Sequence, residues 1–153
     1  MGLDMYLVVT ADDDGLVAAT EQNGLLQHWH DGDVKALDER NKQLVIAYWR
    51  KANAIHSWFV RTQANGVDEC QPIPVSREAL EDLLNRAKQV LDRGGTQEVA
   101  QQWDLETQGG FFFGSTAYDE WYLQDLRETI TQIEAVLKAT WPMPVSFIYE
   151  ASW

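Results

Sequence analysis

In LDMYLVVT (3–10), Leu3, Met5, Leu7 and Val9 alternate with Asp4, Tyr6, Val8 and Thr10. That period of two, rich in β-branched residues, predicts a strand with one buried face. The acidic ADDDGL behind it predicts a turn. From 11 to 42 the regularity fades. GLLQHWHDGD fits a short strand or a loop between Gly24 and Gly32, and VKALDERNKQ fits a helical turn. QLVIAYW (43–49) is strand-like by composition, after which the period changes. At a helical spacing Ala52, Ile55 and Phe59 share one face, Trp49, Asn53, His56 and Val60 an adjacent stripe, and Arg50, Ser57 and Arg61 the opposite one. The pattern therefore predicts a strand to about Trp49 and a helix from about 50 to 63, closed by Asn65-Gly66 as a left-handed cap.

CQPIPVS reads as extended, because a residue preceding proline avoids the helical region. Ser76 predicts the N-cap of a helix through REALEDLLNRAKQVL, with Leu80, Leu83, Leu84, Ala87, Val90 and Leu91 at helical spacing and Gly94-Gly95 ending it. TQEVAQQW fits a turn or two of helix, and LETQGGFFFGST a glycine-flanked aromatic hinge. From Ser115 or Thr116 the longest helix follows, its seam predicted at Leu123, Leu126, Ile130, Ile133 and Leu137, until WPMP stops it. VSFIYEASW closes as a strand facing Val145, Phe147 and Tyr149 inward. With few strands, separate helices and no βαβ rhythm, the expected fold is α+β: a small antiparallel sheet with two long helices and one shorter helix packed on it, one domain over 1–153.

The chain is long enough for that, at 153 residues with 45% hydrophobic and 24% charged positions. The single cysteine, Cys70, excludes an internal disulfide, and its acidic neighbours argue against a reactive thiolate. The N-terminal apolar run is short and lacks a basic flank, so neither a signal peptide nor a membrane span is expected, and a cytoplasmic protein is. A formal net charge of -12 disfavours direct nucleic-acid binding and membrane surfaces, and favours a basic partner.

Against that field, IAYWRKANAIHSWFVR (46–61) gathers three of the 12 basic residues among aromatics. Arg50, Lys51 and Arg61 offer cationic donors, Asn53, His56 and Ser57 hydrogen-bonding groups, and Trp49 and Trp58 flat faces. Phosphorylated aromatic ligands need that mix. A helix beginning near Arg50 would add its free N–H groups. In GGFFFG three consecutive phenylalanines cannot all point inward, so at least one is expected to be exposed or covered by a ligand or a partner, with Phe112 a further stacking candidate. HWH (28–30) with Asp31 and Asp33 lacks a third ligand fixed by spacing, and neither metal nor cofactor is expected. Asp4 and His56 could form an acid–base pair. No G-x-S-x-G, H-E-x-x-H or CxxC accompanies them, so no catalytic residue is assigned.

MGLDMYL, YWRKANAIHSWFV, GVDEC, PVSREAL, GGFFFGST with YDEWY, and the final SW together resemble a family of small proteins found in bacteriophages and prophages. The likeness covers most of 1–10 and 48–153; it departs in 11–42 and at QQWDLETQGG. It implies a phage accessory protein in the host cytoplasm, of the kind that counters host defence. Three functions are then expected, in order. The first is a non-enzymatic, oligomeric pocket sequestering a small nucleotide-like anion, with Arg50, Lys51 and Arg61 on phosphate, Asn53 and His56 on polar edges, and Trp49, Trp58 or Phe112 stacking. The second is an acidic, nucleic-acid-mimicking inhibitor of a basic host defence protein. The third is a nucleotide-acting enzyme with His56 as acid–base.

Overall fold

Residues 2–25, 37–38 and 43–153 are described by the computed structural model of the chain. Five antiparallel strands form one sheet in the order β2-β3-β1-β5-β4. Their bounds are β1 Asp4–Thr10, β2 Leu37–Asp38, β3 Gln43–Arg50, β4 Ile73–Val75 and β5 Ser146–Ser152. The helices are α1 Leu16–Gln22, α2 Asn53–Gln63, α3 Arg77–Asp92, α4 Gln97–Gln102 and α5 Glu120–Lys138. This is the expected α+β class.

The alternation in β1 puts Met5, Leu7 and Val9 on the buried face, opposite Trp49, Ala47 and Leu44 of β3 and beside Ala151, Tyr149 and Phe147 of β5. Register slips between Leu7 and Val8, so one extra residue of β3 bulges there. Helix α2 closes over this face: Phe59 stacks on Tyr149 at 4.0 Å and meets Trp49 edge-on at 6.3 Å. Helix α5 lies along β3, where the Gln132 side chain accepts from the Tyr48 amide (2.7 Å) and donates to its carbonyl (2.8 Å). A side-chain amide thus pairs with both backbone groups of one strand residue. Helix α3 lies against α5, and one contiguous core runs from Leu3 to Ala151.

Several boundaries differ from the pattern reading, each for a physical reason. Helix α2 starts at Asn53, not near 50, because Arg50 is still paired with Asp4 in the ladder. Lys51 then turns the chain through the left-handed region (φ 55), its amide donating to the Leu3 carbonyl at 2.8 Å. Helix α5 starts at Glu120, not 115 or 116, since the Asp119 carboxylate accepts from the amides of Trp121 and Tyr122. Its buried seam is Tyr122, Leu126, Thr129, Ile133 and Val136, with the expected Leu123, Ile130 and Leu137 only half-buried beside it. The rotation is set by polar contacts: Thr129 accepts from the Trp49 indole, and the Tyr122 hydroxyl donates to the Leu105 carbonyl. The proline-punctuated 71–75 segment is extended as read and adds an edge strand, with Pro74 exposed. Ser76 caps α3 as expected, its Oγ accepting from Ala79 at 3.1 Å, and Asn65 and Gly66 are both left-handed. Helix α1 was not foreseen, and Leu37–Asp38 is strand where a helical turn was expected. The HWH segment lies outside the described residues.

Candidate functional site

The end of β3 and the start of α5 face each other across a cleft because a single asparagine ties the loop between α4 and α5 to the start of α2. Asn53 donates through Nδ2 to the carbonyls of Phe113 (3.0 Å) and Ser115 (2.9 Å) and accepts from the Gln108 amide (2.9 Å). Gly114 (φ 81) passes so close that a Cβ there would sit 3.3 Å from the Lys51 Cβ. The Thr107 hydroxyl donates to the Thr116 carbonyl and closes the loop on itself.

The hollow so formed holds about 370 Å³ and is lined by Arg50, Lys51, Ser115, Asp119, Trp121 and Asp125 among others. A shallower hollow of about 640 Å³ continues along β3 and α5 on the far side of Arg50, Trp121 and Asp125. Arg50 and Lys51 are exposed, and neither forms an ion pair with a described residue. Trp121 stands 77% exposed on the first turn of α5. Asp125 is half-buried, and its carboxyl is pushed up to about 7, chiefly by burial and then by the nearby Glu128 and Asp119. The arrangement is therefore two cations without ion-pair partners among the described residues, an open indole face and a carboxyl that changes charge near neutral pH.

Of the expected ligand-binding residues, Arg50 and Lys51 meet at this cleft, and Asn53 lines its floor with its polar atoms already engaged in the loop. The others do not join them. Trp49 and Trp58 are each 1% exposed, so neither indole offers a face to a ligand: they are the large side chains that fill the space between sheet and helices. Trp49 donates to Thr129 at 2.9 Å, while the Trp58 indole N–H is buried without a partner among the described residues. Arg61 is at the other end of α2, held by Asp104 at 2.7 Å and Ser57 at 2.9 Å. Phe112 is half-buried, its carbonyl accepting from the Leu3 amide, while Phe113 is buried and Phe111 is 94% exposed.

His56 is sealed in the core. Its Nε2 lies 2.9 Å from an Asp68 oxygen and its Nδ1 2.6 Å from the Tyr149 hydroxyl, whose pKa burial drives well above the ordinary value. The Asp68 carboxylate can only accept, so Nε2 donates to it and Nδ1 of the neutral ring accepts a hydrogen bond from the Tyr149 hydroxyl, while Trp153 donates to the other Asp68 oxygen at 3.2 Å. Both ring nitrogens are engaged away from the cleft, so His56 is not placed to act on a ligand there. Nor does it pair with Asp4, which accepts from Tyr48. The groups missed by the pattern reading are Trp121, Asp119 and Asp125. Trp121 carried a signal: it falls off the apolar seam of α5, where a large ring is left facing out.

Fold and cleft define an α+β protein with an indole-walled surface site lined by two cations and two carboxyl groups. Comparison with protein-family models, with curated proteins and with solved structures found no match. Among the described residues no helix is long and apolar enough to cross a membrane, and no group of three or more His, Cys, Asp or Glu could hold a metal ion.

Proposed function

We propose that the protein binds a small, nucleotide-like anion in this cleft and holds it without chemical change. One observation carries the reading: adjacent Arg50 and Lys51, without ion-pair partners among the described residues, share a hollow of about 370 Å³ with an indole that is 77% exposed. Two such cations in a chain of net charge -12 make a local attractive spot for phosphate oxygens. Trp121 supplies the face on which a ring stacks, in place of the buried Trp49 and Trp58. The volume falls in the range of small-ligand pockets. Sequestration of such a ligand in a phage-infected host, as a counter-defence, rests on the resemblance of the chain to phage proteins.

Thermal shift across cyclic and linear nucleotides tests this, since any ligand of the native state raises the melting temperature. A rise of several degrees that is lost in Arg50→Ala and Lys51→Ala is the expected result, with unchanged ligand recovered on denaturation. A flat response to every nucleotide sinks the reading. A second reading, an acidic inhibitor that docks on a basic host protein, draws on Phe111, whose ring is 94% exposed and meets Phe112 edge-on at 4.8 Å.

A further inference from the structure

The cleft carries one group that an anion-binding site does not need. Asp125 projects from the second turn of α5 into the wall shared by both hollows, on the same wall as Trp121. A carboxylate placed there repels phosphate, so its position asks for a ligand with N–H donors at the end remote from its anion. Its oxygens form no hydrogen bond or ion pair with a described residue; only its backbone carbonyl is used, accepting from Thr129. Charged and titratable groups around it are Glu128, Arg127 and Tyr122 of α5, the capping Asp119, Tyr48 and Arg50 of β3, and Lys51 just beyond that strand. None of the cations is paired with it.

We infer, building on the reading that the cleft takes a nucleotide-like anion, that Asp125 makes the site selective for guanine, its carboxylate accepting both N–H donors of the Watson–Crick edge while Trp121 stacks the ring and Arg50 and Lys51 hold the phosphate. Guanine alone among the common bases presents two adjacent donors there, N1–H and the N2 amine. Adenine and cytosine present a donor beside an acceptor, and uracil a donor between two acceptors. A carboxylate meets two parallel donors with two charge-assisted bonds, whereas the others leave one oxygen facing a lone pair. Binding then requires the ionised carboxyl. Because burial and the neighbouring acids hold Asp125 near 7, guanine binding displaces a proton below that pH and tightens as pH rises through it.

Titration calorimetry of the full chain with 3′,5′-cyclic GMP and cyclic AMP, from pH 6 to pH 8, tests the inference. Both are phosphodiesters whose charge does not change over that range. Expected are a preference for cyclic GMP of at least about tenfold at pH 8 and a loss of about tenfold in its affinity by pH 6, where the ionised fraction of Asp125 has fallen by that factor. Asp125→Asn, checked for folding by its circular dichroism, should erase the preference and the pH dependence while retaining cyclic AMP affinity, since an amide offers one donor and one acceptor. Equal binding of the two nucleotides, sensitive to Arg50→Ala at both pH values, overturns the guanine inference and leaves the anion site standing. A preference for cyclic AMP that fades with rising pH overturns it too. Binding of neither nucleotide, nor of pyrophosphate, removes the anion site and the inference with it.

Discussion

Asp125 sits where a carboxylate is poorly solvated, and its protonation is a stability term as well as a binding one. Its pKa is raised in the folded chain, so the native state binds its proton more tightly than the unfolded chain does. That stabilisation is complete below the unfolded carboxylate range near 4 and is lost as pH rises through about 7. Asp125→Asn removes the penalty of the charged form. Because water still reaches the cleft, about 1–2 kcal/mol is expected at pH 8, a rise of some 3–6 °C in melting temperature, vanishing near pH 4. Melting curves of the two proteins at both pH values check it, and a larger gain at pH 4 than at pH 8 contradicts the sign. Single residues were readable in chemistry and not in address. Asn53, His56 and Arg61 were identified as hydrogen-bonding groups, and each does hydrogen-bond, but with the 108–115 loop, with Tyr149 and Asp68, and with Asp104. Those partners lie 12 to 93 positions away in the chain, beyond the reach of any local period.

At the scale of elements, local signals were readable wherever the determining contact is itself local. Ser76, the left-handed Asn65 and Gly66, and the alternation of β1 and β5 are set by neighbours within a turn or by one buried face. The start of α2 carries no local signal, because Arg50 pairs with Asp4 in the ladder and the Lys51 amide donates to the Leu3 carbonyl, contacts with chain more than forty residues away. The start of α5 had a local signal, since aspartate is among the best N-caps and Asp119 stands two residues before Trp121. That cap positions the indole. Asp119→Ala leaves two amides of the first turn without their side-chain acceptor and should cost about 1 kcal/mol of global stability. Its effect on the cleft should be larger: with the turn frayed, Trp121 loses its fixed place and nucleotide affinity should fall about tenfold or more. Urea unfolding beside ligand titration separates the two. A variant that loses stability with nucleotide affinity intact would show that the first turn of α5 does not build the site.

Across the whole molecule, the anion site and the net charge act in opposite directions on an incoming nucleotide. Arg50 and Lys51 attract within a few ångströms, whereas a chain of net charge -12 repels an anion over the full Debye length. That length is about 30 Å at 0.01 M salt and about 8 Å at 0.15 M, so added salt removes the long-range repulsion before it weakens the short contacts. The association rate for a nucleotide should therefore rise severalfold between 0.01 and 0.15 M salt, then fall at higher salt as the contacts with the two cations are screened. A basic protein partner behaves oppositely: the same field steers it in, and its association slows from the lowest salt onward. Stopped-flow fluorescence suits the measurement, because stacking on the exposed Trp121 quenches the indole that is best placed to report. Lys51→Glu should steepen the rise, because it adds to the repulsion that salt screens, and should weaken the fall at higher salt, because one of the two attractive contacts is gone. A nucleotide association rate that falls monotonically with salt would mean that the site lies outside the negative field, and that the cations of the β3 end are not where the ligand enters.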